Sequence, residues 1–177
     1  MSIPSLRFRS LSGIPAILLM MIVLSVPAAM AAPFAYISNL VGDSVSVIDL
    51  ATNTVTATIP LPDSSGVAVS RNGSRVYVVS LGAKEVKVIS TATNTIIATI
   101  PTGDSPEVLA LHPDGTRLYL TNFTSMTISV ISTASNSVIA TIPLGIGPRG
   151  VAVSPNGTRL YASTDGSVKV IDTPPIR

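Results

Sequence analysis

The chain has 177 residues, enough for one domain, and is apolar and sparsely charged, with 46% hydrophobic, 11% charged and 4% aromatic residues. It has no cysteine, which excludes a disulfide framework, a thiolate metal site, covalent c-type haem and a lipid on an N-terminal cysteine. Its formal charge of +2 traces to two arginines near the start, so bulk charge gives no ground for binding nucleic acid or a membrane surface.

Taken in order, the chain opens with Arg7 and Arg9, an uncharged apolar run from Leu11 to Val26, and small residues ending in Ala29-Met30-Ala31. That is the charged, apolar and small-residue order of a secretory signal. Residues 1–31 are therefore expected to form a signal helix cleaved after Ala31; a cut after Ala32 would leave Pro33 beside the scissile bond. The competing reading is an uncleaved anchor, since no charge lies between Arg9 and Asp43 and length alone would allow a span. Pro15, Pro27 and the Ala-x-Ala site favour cleavage. The mature region, 32–177, then balances nine Lys and Arg against nine Asp and Glu, and no membrane span is expected in it.

From Phe34 onward the chain repeats itself. The four tyrosines, Tyr36, Tyr77, Tyr119 and Tyr161, are spaced by 41, 42 and 42 residues, and Gly73, Gly115 and Gly157 by 42 and 42. Asn53, Asn94 and Asn136 keep the same step. A period of this size with several short strands per copy marks a propeller blade or a related β array.

Each copy reads as four strands. Strand A is expected at Val67 to Ser70, Val108 to Leu111 and Val151 to Ser154, followed by Asn72-Gly73, Asp114-Gly115 and Asn156-Gly157 as tight two-residue turns. Strand B is Ala35 to Asn39, Val76 to Ser80, Leu118 to Asn122 and Leu160 to Thr164. Strand C alternates, with Val45 and Val47, Val86 and Val88, Ile128 and Val130, and Val168 and Val170 on one face; Ser46, Lys87, Ser129 and Lys169 take the other. Strand D is Val55 to Ile59, Ile96 to Ile100 and Val138 to Ile142, each entered through a Thr-Asn or Ser-Asn turn and closed by proline. The copies lie near 34–60, 66–101, 107–143 and 149–172.

The stretches VSVIDLATNTVTATIP (45–60), VISTATNTIIATIPTG (88–103), VISTASNSVIATIPLG (130–145) and PRGVAVSPNGTRLY (148–161) carry a family resemblance. The chain resembles the YVTN-type β-propeller repeat over essentially all of 34–172. The resemblance implies an all-β fold of four-stranded antiparallel blades, about three and a half to four here, and a surface or periplasmic setting. The family's Thr-Asn pair after the tyrosine is Ser38-Asn39, Val79-Ser80, Thr121-Asn122 and Ser163-Thr164, so its asparagine hydrogen bond is expected in two copies.

Propellers of this resemblance usually close with about seven blades, so the chain is expected to form an arc whose end blades present open faces of Val and Ile. At roughly 1.5 to 3 kcal/mol per buried aliphatic side chain, a few such residues on each face forfeit on the order of 10 kcal/mol, comparable to a domain's stability. A small closed ring, self-association into a larger ring, and truncation of a longer propeller all answer that difficulty, and the last two are preferred to a stable open monomer.

His112, the only histidine, is read as an exposed residue beside the Pro113-Asp114-Gly115 turn, since a general base or metal centre would need converging partners. Asp49 and Asp172 alternate with Ser90 and Ser132 at the end of strand C, as suits a turn cap. The tyrosines read as packing between blades, not as a stacking platform. Asn72, Asn122 and Asn156 head formal glycosylation sequons. Loops from D to A and from B to C are expected to share one rim. Asp63, Lys84, Asp104, Glu107, Phe123, Arg149 and Asp165, which vary there between otherwise repeating copies, are the candidate binding residues.

The expected function is a secreted, non-catalytic propeller in the periplasm or on the cell surface, binding a protein or cell-surface component through this rim and needing no cofactor. The rivals are a truncated propeller enzyme of lactonase-like or quinone-dehydrogenase-like type, and a nucleic-acid-binding propeller, which neutral charge disfavours.

Overall fold

A computed structural model describes residues 34–173. The expected signal helix at 1–31 lies outside the described residues. The strands are β1 (Phe34–Asn39), β2 (Ser44–Asp49), β3 (Thr54–Pro60), β4 (Ser64–Val69), β5 (Arg75–Ser80), β6 (Glu85–Ser90), β7 (Thr95–Pro101), β8 (Pro106–Leu111), β9 (Arg117–Asn122), β10 (Thr127–Ser132), β11 (Ser137–Pro143), β12 (Pro148–Val153), β13 (Arg159–Thr164) and β14 (Ser167–Asp172). They form four antiparallel sheets in sequential order, β1-β2-β3, β4-β5-β6-β7, β8-β9-β10-β11 and β12-β13-β14, as the repeat implied. We number them sheets 1 to 4.

Proline marks where two strand types depart from expectation in all copies but β4, which begins at Ser64. The inner strands begin early, at Ser64, Pro106 and Pro148, with a register shift before the regular pairing resumes. A proline lacks the N–H that a ladder needs, so it sits at a strand's first residue or beside a bulge. The outer strands run on to Pro60, Pro101 and Pro143, where an edge tolerates the missing donor. Each outer strand also bulges, skipping Thr56, Ile97 and Ile139 in the pairing with its neighbour. Ile97 and Ile139 are half-exposed there.

The turns after the inner strands are longer than expected. Only the glycines, Gly73, Gly115 and Gly157, have positive φ, at 70°, 78° and 73°; Asn72, Asp114 and Asn156 do not. Gly73 N–H donates to the Ser70 carbonyl at 2.8 Å and Ser70 N–H to the Arg75 carbonyl at 2.9 Å. This is a type I turn closed by a left-handed glycine, a four-residue hairpin loop instead of a two-residue one. The Asn72 side-chain oxygen accepts from Ser74 N–H at 3.1 Å, which explains the asparagine.

Three joints hold the sheets together, and they are copies of one another. In the first, Tyr36, Val45, Val47 and Ile59 of sheet 1 pack on Val76, Val78 and Ile89 of sheet 2. In the second, Tyr77, Val86, Val88 and Ile100 meet Leu118, Leu120 and Ile131. In the third, Tyr119, Ile128 and Val130 meet Leu160, Ala162 and Ile171. Alternation along β5 and β9 is what lets a central strand serve both neighbours: odd and even residues face opposite joints. The inner strands β4, β8 and β12 lie side by side, and β1 beside β4, while the outer strands β7 and β11 touch only sparingly. No comparable joint links sheet 4 back to sheet 1 among the described residues, so the small closed ring does not form.

The expected open faces are present at both ends. Tyr161, Val168 and Val170 of sheet 4 are 37%, 62% and 57% exposed, whereas their counterparts in sheets 1 to 3 are 6% exposed or less. On sheet 1, Ile37 is 48% exposed, against 0% for Val78 and Leu120 at the same position.

Candidate functional site

Backbone hydrogen bonds sew the D-to-A and B-to-C loops into one rim. Leu61 N–H donates to the Asp43 carbonyl, Leu81 to Asp63, Thr102 to Lys84, Phe123 to Ser105 and Leu144 to Met126, all between 2.8 and 3.0 Å. The loops turn tightly at residues in the left-handed region: Asp43, Lys84 and Met126 in the B-to-C loops, and Asp63 and Ser105 in the D-to-A loops. Such a backbone costs a non-glycine residue roughly 1 to 2 kcal/mol, so the rim is held by its hydrogen bonds against local preference.

On this rim four candidates converge. The Arg149 guanidinium lies 3.9 Å from the centroid of the Phe123 ring, with Nε 3.4 Å from Asp165 Oδ1 and Nη1 3.9 Å from Glu107 Oε1. Phe123 comes from the sheet 3 loop, Glu107 from β8, Arg149 from β12 and Asp165 from the sheet 4 loop, so the cluster exists only because sheet 4 packs on sheet 3. Gly147 makes room for the ring, since a Cβ there would lie 2.6 Å from Phe123 Cε2. The Arg149 and Asp165 side chains remain 54% and 69% exposed. The arrangement is a stacked cation flanked by two carboxylates, formally one negative charge, open to solvent. It can offer an aromatic edge and paired charges to a polar partner.

The other candidates stand apart from it. Lys84 Nζ and Asp104 Oδ1 form an exposed ion pair of 2.8 Å. Asp63 packs its carboxylate over Gly82, where a Cβ would lie 2.3 Å from Oδ2, and its N–H donates to Asp43 Oδ1 at 3.0 Å.

His112 is a correction: it is buried, 7% exposed, and spans the third joint. Its Nε2 lies 3.0 Å from the Gly157 carbonyl and its Nδ1 2.7 Å from Asp114 Oδ1. Burial alone would raise the Asp114 carboxyl; hydrogen bonds from the Thr116 N–H and hydroxyl and from His112, with the charge of His112, outweigh it and hold Asp114 at about 2. Burial pushes the Tyr36 and Tyr119 hydroxyls above 10.

Asp49 caps its turn as expected, accepting from Ala51 N–H at 2.7 Å; Asp172 lies 3.8 Å from Arg159 Nε, and the turn it is expected to cap lies outside the described residues. Asn122 is fully buried and donates to Thr127 and Ser129 hydroxyls at 3.1 and 2.9 Å, so the folded chain does not present it to a glycosylating enzyme. Asn39 makes the equivalent bonds to Ser44 and Ser46. In the other two copies Ser80 donates to the Pro62 carbonyl and Thr164 to the Ser167 carbonyl.

Sequence reasoning missed an open cleft of about 630 Å³ at the opposite rim, lined by Arg71, Asn72, Arg75, Tyr77, Asp114 and Thr133 among others. Arg71 donates to the Pro113 carbonyl at 2.7 Å and Arg75 to the Thr133 carbonyl at 2.9 Å, so both arginines tie sheet 2 to sheet 3. The recurrence of arginine at Arg75, Arg117 and Arg159 was the available signal. Among the described residues no three of His, Cys, Asp and Glu gather to hold a metal ion.

The YNCE-like beta-propeller family model matches residues 28–112. The chain is built of β-propeller blades. Its propeller sheets are similar to Kuenenia stuttgartiensis hydrazine synthase, at TM-score 0.74 and 31% identity, covering 78% of this chain and 42% of that one. A functionally unknown protein of Desulfotomaculum acetoxidans DSM 771 matches at TM-score 0.67 and 22% identity, covering 73% and 44%. A putative 6-phosphogluconolactonase from Bacteroides uniformis ATCC 8492 matches at TM-score 0.71 and 17% identity, covering 83% and 52%. The propeller blades here thus span about half or less of the solved chains they match. No curated protein matches the chain.

Proposed function

We propose that this propeller is a secreted, non-catalytic scaffold of the periplasm or cell surface that binds a protein or cell-surface component at the rim carrying Phe123. The supporting observation is the convergence of Phe123, Arg149, Glu107 and Asp165, drawn from two blades, at an exposed place where the repeat varies. Rigid sheets fix these side chains, so binding there costs little ordering. The signal-like order of residues 1–31 supports export.

The test is retention of the purified chain on isolated envelopes of its source cell, wild type against Glu107→Lys and Arg149→Glu. Retention that both reversals abolish supports the rim. Equal retention of all three removes the rim, and no retention of the wild type removes the envelope as the partner's location. N-terminal sequencing of the exported chain, beginning at Ala32, checks the cleavage.

A second reading, a propeller piece of an enzyme, draws on the likeness to hydrazine synthase and to the putative 6-phosphogluconolactonase. Lactone hydrolysis by the purified chain, lost on Glu107→Gln, would favour it over the scaffold.

A further inference from the structure

The two open faces of the arc carry the central-strand parts of the joint that the molecule already makes three times; among the described residues sheet 4 has no outer strand to supply the counterpart of Ile59, Ile100 and Ile142, and sheet 1 has no inner strand. Sheet 4 presents Tyr161, Val168 and Val170, the tyrosine and two strand-C residues that in sheets 1, 2 and 3 bury against the following sheet. Sheet 1 presents Ala35, Ile37 and Ile48, at the positions of Val76, Val78 and Ile89, which in sheet 2 receive the tyrosine face. The residue types match as well, because Leu160, Ala162 and Ile171 form the receiving face of the third joint, and Ala35, Ile37 and Ile48 are the same mixture of one alanine and two larger aliphatics.

The first joint adds a polar contact that marks a register; in the second, the Tyr77 hydroxyl and Asn136 Oδ1 at the same positions are buried without a partner. In the first joint the Tyr36 hydroxyl donates to Asn94 Oδ1 at 2.9 Å. Asn94 is the left-handed residue of the C-to-D turn, with φ 53°, and Asn53 and Asn136 hold the same turn position with φ 55° and 50°. Asn53 is exposed on sheet 1, where the repeat of the joint sets it opposite an incoming tyrosine.

We propose that the tyrosine face of sheet 4 docks on the Ala35, Ile37 and Ile48 face of a second copy of this chain, with the Tyr161 hydroxyl donating to Asn53 Oδ1 of that copy, so that two copies close head to tail into one ring. The occupant is specified by the internal repeat: the surface that fits a face of this kind in the joints is one built like Val76, Val78 and Ile89, and on sheet 1 its counterpart has Ile37 exposed and Ala35 and Ile48 half-buried. The contact is heterologous, each copy giving one face and receiving on the other, and two such contacts close on themselves. This proposal is independent of the rim reading, since none of its residues belongs to the Phe123 cluster.

Light scattering on the purified chain tests it. The expected mass is that of two copies, and Val168→Asp and Ile37→Asp should each reduce it to one. Both side chains are exposed in the single copy, so the variants should keep the circular dichroism spectrum of the wild type, which separates loss of docking from loss of folding. Tyr161→Phe, which removes only the hydroxyl at each of the two contacts, should weaken the dissociation constant roughly thirtyfold. A wild type of single-copy mass overturns the proposal, as does a two-copy mass that survives either aspartate. A dimer broken by Val168→Asp but not by Ile37→Asp would be face-to-face pairing of sheet 4, and overturns it too.

Discussion

The same substitution at two equivalent positions should have opposite effects. Tyr36 and Tyr77 occupy one position in adjacent blades and both are buried, 6% and 0% exposed. The Tyr36 hydroxyl has a partner, Asn94 Oδ1 at 2.9 Å, whereas the Tyr77 hydroxyl and the Asn136 side-chain oxygen are buried without one. Tyr36→Phe therefore deletes a hydrogen bond and should destabilise by about 1 kcal/mol. Tyr77→Phe deletes a hydroxyl stripped of water and given nothing in return, and should be neutral or stabilise by about 1 kcal/mol or more. The two variants then differ by about 1 to 2 kcal/mol, a separation of about 0.5 to 1 M in urea midpoint at slopes of about 2 kcal/mol per M. Unfolding at neutral pH, followed by circular dichroism, reads the difference directly. The pH matters because burial raises the Tyr36 hydroxyl above 10: its contribution is complete below pH 10 and fades as pH climbs through the folded value. Equal destabilisation by the two variants would mean that Tyr77 is paired, with Asn136 the group it reaches, and would refute the reasoning.

Acid should loosen the turn between β8 and β9, where Asp114 meets Thr116 and His112. Asp114 is held at about 2 in the fold, below its ordinary 3.8, so its contribution is present above pH 4 and is lost as pH falls through 2. With its side chain 45% exposed, screening reduces the effect to about 1 kcal/mol, and Asp114→Ala should erase the pH dependence of urea unfolding between pH 4 and 2 by that amount. Gly66→Ala should cost about 3 kcal/mol or prevent folding, because its Cβ would fall 2.4 Å from the Glu107 carbonyl oxygen on the neighbouring inner strand; soluble yield and thermal melting check it. Gly147→Ala should displace the Phe123 ring at a cost of about 1 to 2 kcal/mol and quench the ring-current shift on Arg149 protons in nuclear magnetic resonance spectra. Asn122→Ala, which removes two buried hydrogen bonds, should cost about 2 kcal/mol in urea unfolding, more than the exposed Asn72→Ala.

The strands were legible because three or four copies repeat each of them, and Val or Ile at alternate positions of strand C leaves one register that buries them. What escaped was whatever depends on a neighbouring copy. His112 looked exposed beside its own turn, but the group that covers it, Gly157, lies 45 residues on. Asn-Gly and Asp-Gly announce a hairpin without giving its length, and the extra residues show only in which carbonyl the glycine N–H meets. Variation between copies picked out the rim residues; it carried no sign that Phe123, Glu107, Arg149 and Asp165 would meet while Asp63 stays apart. Arg71 and Arg75 were passed over because their partners are backbone carbonyls, which leave no trace in side-chain patterns.

Because the stretches that feed successive joints are nearly interchangeable, as in TNTVTATIP and TNTIIATIP, unequal recombination within the coding sequence can delete or duplicate a whole copy in frame and still leave every surviving junction matched. Arc length is then a character that drifts far more readily than the junction itself. Relatives of different length should accordingly share the tyrosine, valine and isoleucine positions of the joint while diverging at the loops.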